Sequence, residues 1–188
     1  MRNYAQIRNI DISDGPGIRC SIYTQGCSHH CKNCFNPETW NYEGGKQWTE
    51  KTNKEILTLM KDPHTDGFSV LGGDPFDYYL TEYYEREEDT DLLADLLSSI
   101  KKETPEKSIW LWTGFVWENF YLTKEKEDLY NYVLGNRIFH LLKYIDVIVD
   151  GPFKEEEKDF NLPYCGSRNQ RVIDVKKTIE SDTIVLWS

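Results

Sequence analysis

The chain has 188 residues and a formal net charge of −10, and it is 39% hydrophobic and 14% aromatic. That apolar content excludes a disordered chain and suffices for one buried core, so a single domain over residues 1–188 is expected. The acidic balance excludes the clustered Lys and Arg of a nucleic-acid or anionic-membrane surface, and no apolar run approaches the roughly 20 residues of a membrane span.

Met1 to Ile10 lacks the charged, apolar, small-residue order of a secretory leader. Five cysteines, three of them clustered, fit a secreted disulfide framework poorly. A cytoplasmic, reducing location is therefore expected.

In chain order, Ile18 to Tyr23 reads as a short strand ending at Gln25-Gly26. Thr52 and Glu55 have capping-box spacing, and Ile56, Leu57, Leu59 and Met60 give a helix face closed by Pro63. Phe68 to Leu71 is a second strand, stopped by Gly72-Gly73. Leu92, Leu93, Leu96, Leu97 and Ile100 recur at helical spacing until Pro105. Ile109 to Trp112 is a third strand, stopped by Gly114, and a helical region follows, with Leu129 and Val133 before Gly135 and Ile138, Leu141 and Leu142 after it. Ile145 to Val149 is a fourth strand, ended by Asp150-Gly151-Pro152. Arg171 to Val175 and Thr183 to Trp187 are weaker strand candidates. The charge-rich stretches Glu82 to Asp91 and Lys154 to Asp159 read as solvated loops.

Strand–helix alternation predicts an α/β fold with mostly parallel strands, and such sheets gather ligands at the carboxyl ends of their strands. The cysteine loop follows the first predicted strand, Gly72-Gly73-Asp74 the second, Thr113-Gly114 the third and Asp150-Gly151 the fourth. Their placement points to one shared site.

Cys27, Cys31 and Cys34 lie within eight residues. One short loop cannot bury three side chains in a common apolar direction, but three thiolates converge readily on a metal centre. A structural zinc site is closed by four ligands. Such a site would draw its fourth from His29, His30, Cys20 or Cys165. Cys20, in an apolar run, and Cys165, alone before Gly166, otherwise read as buried or incidental thiols. Trp110 and Trp112 alternate with Leu111, as two residues packing on one face of a strand do.

The spacing Cys-x3-Cys-x2-Cys resembles the signature of the radical S-adenosylmethionine enzymes. Asp14-Gly15-Pro16-Gly17-Ile18-Arg19 precedes it and Asn36-Pro37-Glu38-Thr39-Trp40 follows. Gly72-Gly73-Asp74-Pro75, Trp110 to Phe115, Val149-Asp150-Gly151 and Gly166 to Arg171 come in order after that. From about Asp14 to Arg171 the set resembles the activating proteins of the anaerobic (class III) ribonucleoside-triphosphate reductase.

The resemblance implies a partial, incomplete β/α barrel of the radical S-adenosylmethionine type. It implies one 4Fe-4S cluster on Cys27, Cys31 and Cys34, with one iron lacking a cysteine ligand and left for S-adenosylmethionine. Gly72, Gly73 and Asp74 would receive the methionine amino group, while Thr113 and Asp150 would face its carboxylate or the ribose. Asp14 to Gly17 would pack beside the cluster and Phe35 would shield it. Gly166 to Arg171 would stand near the site mouth, with Arg168 or Arg171 toward a partner. The implied activity is that of an oxidoreductase that makes a glycyl radical on the large reductase subunit, fed by a reduced flavodoxin-like donor, as a monomer or homodimer. Activation of another glycyl-radical enzyme, such as one resembling pyruvate formate-lyase, and a zinc-stabilised interaction module are the alternatives.

Overall fold

The computed structural model describes residues 2–80, 91–121, 135 and 138–188. Its frame is one seven-stranded sheet. The strands are β1 (Asn3–Asp11), β2 (Arg19–Thr24), β3 (Lys46–Gln47), β4 (Gly67–Gly72), β5 (Ser108–Trp112), β6 (Val147–Asp150) and β7 (Arg171–Asp174). They lie in the order β3-β1-β2-β4-β5-β6-β7. The central four, β2, β4, β5 and β6, are parallel neighbours. At the rims β1 runs antiparallel to β2, β3 to β1, and β7 to β6.

The α/β class and the parallel centre match expectation. The antiparallel rims were not expected, because β1 and β3 carry too few apolar residues to announce themselves. Residues Thr183 to Trp187 form no full strand; Ile173 bridges Leu186, and Trp187 N donates to Val172 O at 2.9 Å.

The helices are α1 (Glu50–Met60), α2 (Leu92–Glu103), α3 (Trp117–Phe120) and α4 (Val175–Ser181). The first starts earlier than its sequence suggested, with Thr49 as N-cap and Thr52 as its reciprocal partner. Asp91 caps α2 by accepting from Ala94 N at 3.1 Å. Residues 138–142 are helical, while Leu129 and Val133 lie outside the described residues, as do 82–90. Among the described residues no helix is long and apolar enough to cross a membrane.

Alternation along the strands divides the sheet into two faces with different contents. Cys20, Ile22, Phe68, Val70, Ile109, Leu111, Ile148 and Ile173 point to the helical side, packing with Ile56, Met60, Leu93, Leu96, Leu97 and Ile100 in the main core. Trp110, Val147 and Val149 point the other way, with Trp112, Tyr164, Cys165 and Val172 packed against them. Trp187 closes that cluster, its ring centroid 4.9 Å from Trp110.

The second face also carries a charge. Arg19 is fully buried, yet among the described residues no carboxylate lies within hydrogen-bonding range of its guanidinium. It donates to Ser69 Oγ at 2.6 Å, to Phe68 O at 2.7 Å and to Ser108 O at 3.0 Å, and it reaches Pro16 O at 3.3 Å. Burial pulls its pKa down to about 10, which still leaves it charged. A buried cation survives only when hydrogen-bonded. Here the carbonyls of two strands and of the 12–17 loop do that work, fastening the loop to the sheet. Arg19→Met should cost about 3 kcal/mol, since it orphans several buried carbonyls at once. Urea unfolding checks this; an unchanged midpoint would show that the loop is held by other contacts.

Candidate metal and cofactor site

The loop after β2 is fixed at both ends before its cysteines begin. Gly26 N donates to Thr39 O at 2.8 Å and Cys27 N to Trp40 O at 3.2 Å. Asp74 N reaches back to Gly26 O at 2.7 Å, tying the loop to the turn after β4. That turn needs glycine: a Cβ on Gly73 would lie 2.4 Å from Gly26 O, so no side chain fits between the two segments. Within the loop His30 and Asn33 adopt left-handed backbone, with φ of 44° and 57°.

Side chains of the same turn grip the loop. Ser28 donates to Asp77 through both its backbone N–H and its hydroxyl, the latter at 2.8 Å. The His29 ring nitrogen Nε2 lies 3.0 Å from Asp74 Oδ2. Burial works against protonation of His29, but the hydrogen bond and charge of Asp74 outweigh it and raise its pKa. Asp77 is itself raised, by burial first and then by the charge of Asp74.

Asp74 is only 2% exposed and gathers donors from three segments. Thr113 Oγ1 reaches its two oxygens at 2.9 and 3.0 Å, Gly114 N reaches Oδ2 at 2.7 Å, and Phe76 N reaches Oδ1 at 2.9 Å. With His29, these occupy the acceptor positions of a carboxylate.

A cavity of about 480 Å³ opens on the second face of the sheet. Cys27, Cys31, Cys34, Gly72, Gly73, Asp74 and Thr113 all line it, so seven of the residues expected at one site are brought together. Asp150 is not among the lining residues. Its fully buried carboxylate accepts from Trp117 N at 2.7 Å and from Arg171 Nε at 2.9 Å. Arg171 in turn forks onto Glu118 at 2.8 and 3.0 Å, and these acids hold its pKa well above the ordinary value. Arg168 is exposed, 3.7 Å from Asp159. Cys20 lies on the helical face, away from the cavity, with burial raising its thiol to about 12. His30 packs on Trp40 at 4.8 Å. Phe35 lines the cavity beside Phe153, at 5.0 Å. Cys165 lines it too, as do Tyr164 and Gln170.

Several residues at the site were not singled out from sequence. Tyr23 and Arg8, which also line the cavity, and Asp77 carried no motif. Gln170, within a quoted motif, had no assigned role; its side chain accepts from Gly166 N at 2.8 Å and donates to Gly151 O at 2.9 Å, pinning the late segment to the turn after β6. Asp14 lines the cavity and accepts from Tyr23 OH at 2.6 Å. Burial raises Asp14 to about 6, with the neighbouring Asp11 adding to the shift. Burial also pushes Asp11 upward, but hydrogen bonds from Asp14 and Ser13 prevail and bring it to about 2.

Comparison with known proteins places the chain. Residues 13–173 match a family model described as a 4Fe-4S single cluster domain. The anaerobic ribonucleoside-triphosphate reductase-activating protein of Vibrio cholerae serotype O1 is 36% identical over 170 residues, covering 89% of this chain and 95% of the relative. The chain belongs to this family. The protein of the same name from Enterobacteria phage T4 is 34% identical over 174 residues, 90% of this chain and 92% of its own. That of Escherichia coli K12 is 31% identical over 172 residues, 90% and 97% of the two chains.

The donor set suits the cluster that the family model describes. Thiolates are the soft ligands that iron–sulfur clusters select, and three share the cavity. Burial, followed by the charge of Asp74, pushes the Cys27 thiol up to about 12, so loading must displace its proton.

Asp14 gives the metal-free protein a pH signature. Its folded pKa of about 6 lies above the ordinary 3.8, so its contribution is full below 3.8 and is lost as the pH rises through about 6. Stability should fall across that window, and Asp14→Asn should flatten the fall. Urea midpoints measured across it would show the same slope in both proteins if Asp14 were not the group responsible.

Proposed function

We propose that this protein is a radical S-adenosylmethionine enzyme that activates an anaerobic ribonucleoside-triphosphate reductase. The overall reaction consumes one electron and one S-adenosylmethionine. The bond from sulfonium to adenosyl carbon breaks, releasing methionine and a 5′-deoxyadenosyl radical. That radical takes a hydrogen atom from a glycine of the large reductase subunit, leaving 5′-deoxyadenosine and a stored glycyl radical. The observation that carries the proposal is the meeting of Cys27, Cys31 and Cys34 with Gly72, Gly73 and Asp74 around one cavity.

Held by the three cysteines, a 4Fe-4S cluster would supply the electron and leave one iron for the amino and carboxylate groups of S-adenosylmethionine. The chain's own residues have the remaining tasks. Gly72 and Gly73 let the backbone approach the methionine end closely, and Asp74 supplies negative charge for its ammonium. Thr113 acts through Asp74, to which its hydroxyl is committed. Asp150 serves the same end of the sheet indirectly, by fixing Arg171 and the start of α3. Phe35, Phe153 and Leu162 give the cavity apolar wall that keeps water and stray hydrogen donors from a radical.

The sheet, with its four parallel strands and a cavity on one face, would be the partial barrel of that superfamily. The partner is the glycyl-radical subunit of the reductase. A reduced flavodoxin-like protein in the cytoplasm would provide the electron.

Anaerobic reconstitution with iron and sulfide, followed by electron paramagnetic resonance of the dithionite-reduced protein, tests this. A cubane signal that changes shape when S-adenosylmethionine is added is expected. A signal indifferent to it would reduce the protein to electron transfer, and zinc without iron or labile sulfide would sink the enzyme reading. Ala at Cys27, Cys31 or Cys34 should abolish the signal; wild-type cluster content in any one variant would remove that residue from the ligand set. Co-expression with the reductase large subunit should yield a glycyl radical doublet, and a doublet on a pyruvate formate-lyase-like partner instead would reassign the target.

A further inference from the structure

We infer that His29 is a positioning residue for the S-adenosylmethionine site, acting through Asp74 to hold the cysteine loop and the glycine turn in one fixed relation. The inference rests on the function proposed above, and its observations lie in the packing around the ring.

The first observation is where the donors to Asp74 come from. Phe76 belongs to the same turn, and Thr113 and Gly114 follow β5. His29 alone among them brings the cysteine loop to that carboxylate. Without it, Asp74 would still be oriented by the two strand ends, but the loop would lose its side-chain tie to it.

The second observation is the seat of the ring. A Cβ on Gly114 would lie 2.4 Å from His29 Cδ2 and 2.6 Å from Nε2, so the imidazole occupies space that only a glycine leaves. The Phe115 ring meets it edge-on at a centroid distance of 4.5 Å. The His29 side chain is 18% exposed, and its outer surface lines the cavity. An incidental loop histidine would have neither a vacated space nor a buried acceptor waiting for it.

The third is that the tie is doubled. Ser28 and His29, adjacent in the loop, engage Asp77 and Asp74, which are joined to each other by Asp77 N donating to Asp74 O at 3.1 Å. Two adjacent grips on one turn fix direction as well as distance. Both grips fall between Cys27 and Cys31. The spacing between the cluster ligands and the methionine end is thereby set by this chain's own side chains.

A histidine that merely fills space would lower stability when replaced and leave cofactor affinity alone. A positioning residue changes affinity, and does so through its partner. The test uses the full chain, anaerobically reconstituted, as wild type, His29→Ala, His29→Gln, Asp74→Ala and the 29/74 double Ala variant. Equilibrium binding of S-adenosylmethionine, iron and sulfide per chain, and the melting temperature of the metal-free protein are measured for each.

His29→Ala should weaken binding about ten-fold, the factor of one hydrogen bond to a charged group, with iron and sulfide unchanged. His29→Gln, whose amide nitrogen reaches the place of Nε2, should come back to within about three-fold of wild type, and the double variant should bind no worse than Asp74→Ala. Wild-type affinity in His29→Ala, or losses that simply add in the double variant, would overturn the inference.

Should His29→Ala take up no iron, the metal-free melting temperatures carry the test. A shared destabilisation restored by Gln supports the tie, and an additive one overturns it. Unchanged affinity in Asp74→Ala is a different failure. It would remove the methionine-site reading, while the tie between positions 29 and 74 would still be read from the melting temperatures.

Discussion

The carboxylate of Asp74 sets the condition that the rest of the site meets. An anion withdrawn from water is tolerated only when fully hydrogen-bonded, and donors must be brought to it from wherever the fold can supply them. Here they come from the end of β5, from the turn itself and from the cysteine loop. Satisfying one buried charge thus draws three separate stretches of chain to one point at the carboxyl edge of the sheet. The closeness of Gly73 to Gly26 follows from the same gathering, since backbone meets backbone there with no side chain between.

Arg19 plays the reciprocal part lower on the same face. It is a buried cation answered by carbonyls rather than by an acid, and it holds the 12–17 loop against β4 and β5. With that loop in place, Asp14 and Tyr23 line the cavity, as do Phe153, Phe160, Leu162 and Gly166 of a later segment. The helical face contributes none of this. Its apolar packing forms the main core, while the other face carries the smaller Trp110 cluster, the contacts of Arg19 and the cavity.

Much of the frame was legible in the sequence because β2, β4, β5 and β6 are buried on both sides and so read as short apolar runs with a glycine soon after each. β1 was not, since Asn3, Gln6, Arg8, Asn9 and Asp11 dilute any alternation, and its pairing with β2 is a tertiary fact. β3 has only two residues and carries no pattern at all. At the site, cysteine spacing and strand-end glycines marked loops that the structure brings around one cavity. What they could not reveal was pairing between distant side chains. Asp150 stands directly across from Arg171 in the β6–β7 ladder, and the two side chains form an internal ion pair. His29 meets Asp74 across 45 positions, and nothing local to either residue announces it.

The division of the sheet into two faces has a bearing on how such a protein can change over time. Neighbouring residues on one strand serve opposite ends: Ile22 belongs to the core and Tyr23 to the cavity, as do Val70 and Leu71, and Leu111 and Trp112. Substitutions at the cavity-facing positions can alter the site and leave the core untouched. Insertion or deletion of a single residue within these strands does the reverse, because it exchanges the two sets and puts core residues into the cavity. Single-residue length changes are therefore tolerable in the connections and not within the central strands, where only replacement keeps the two faces apart.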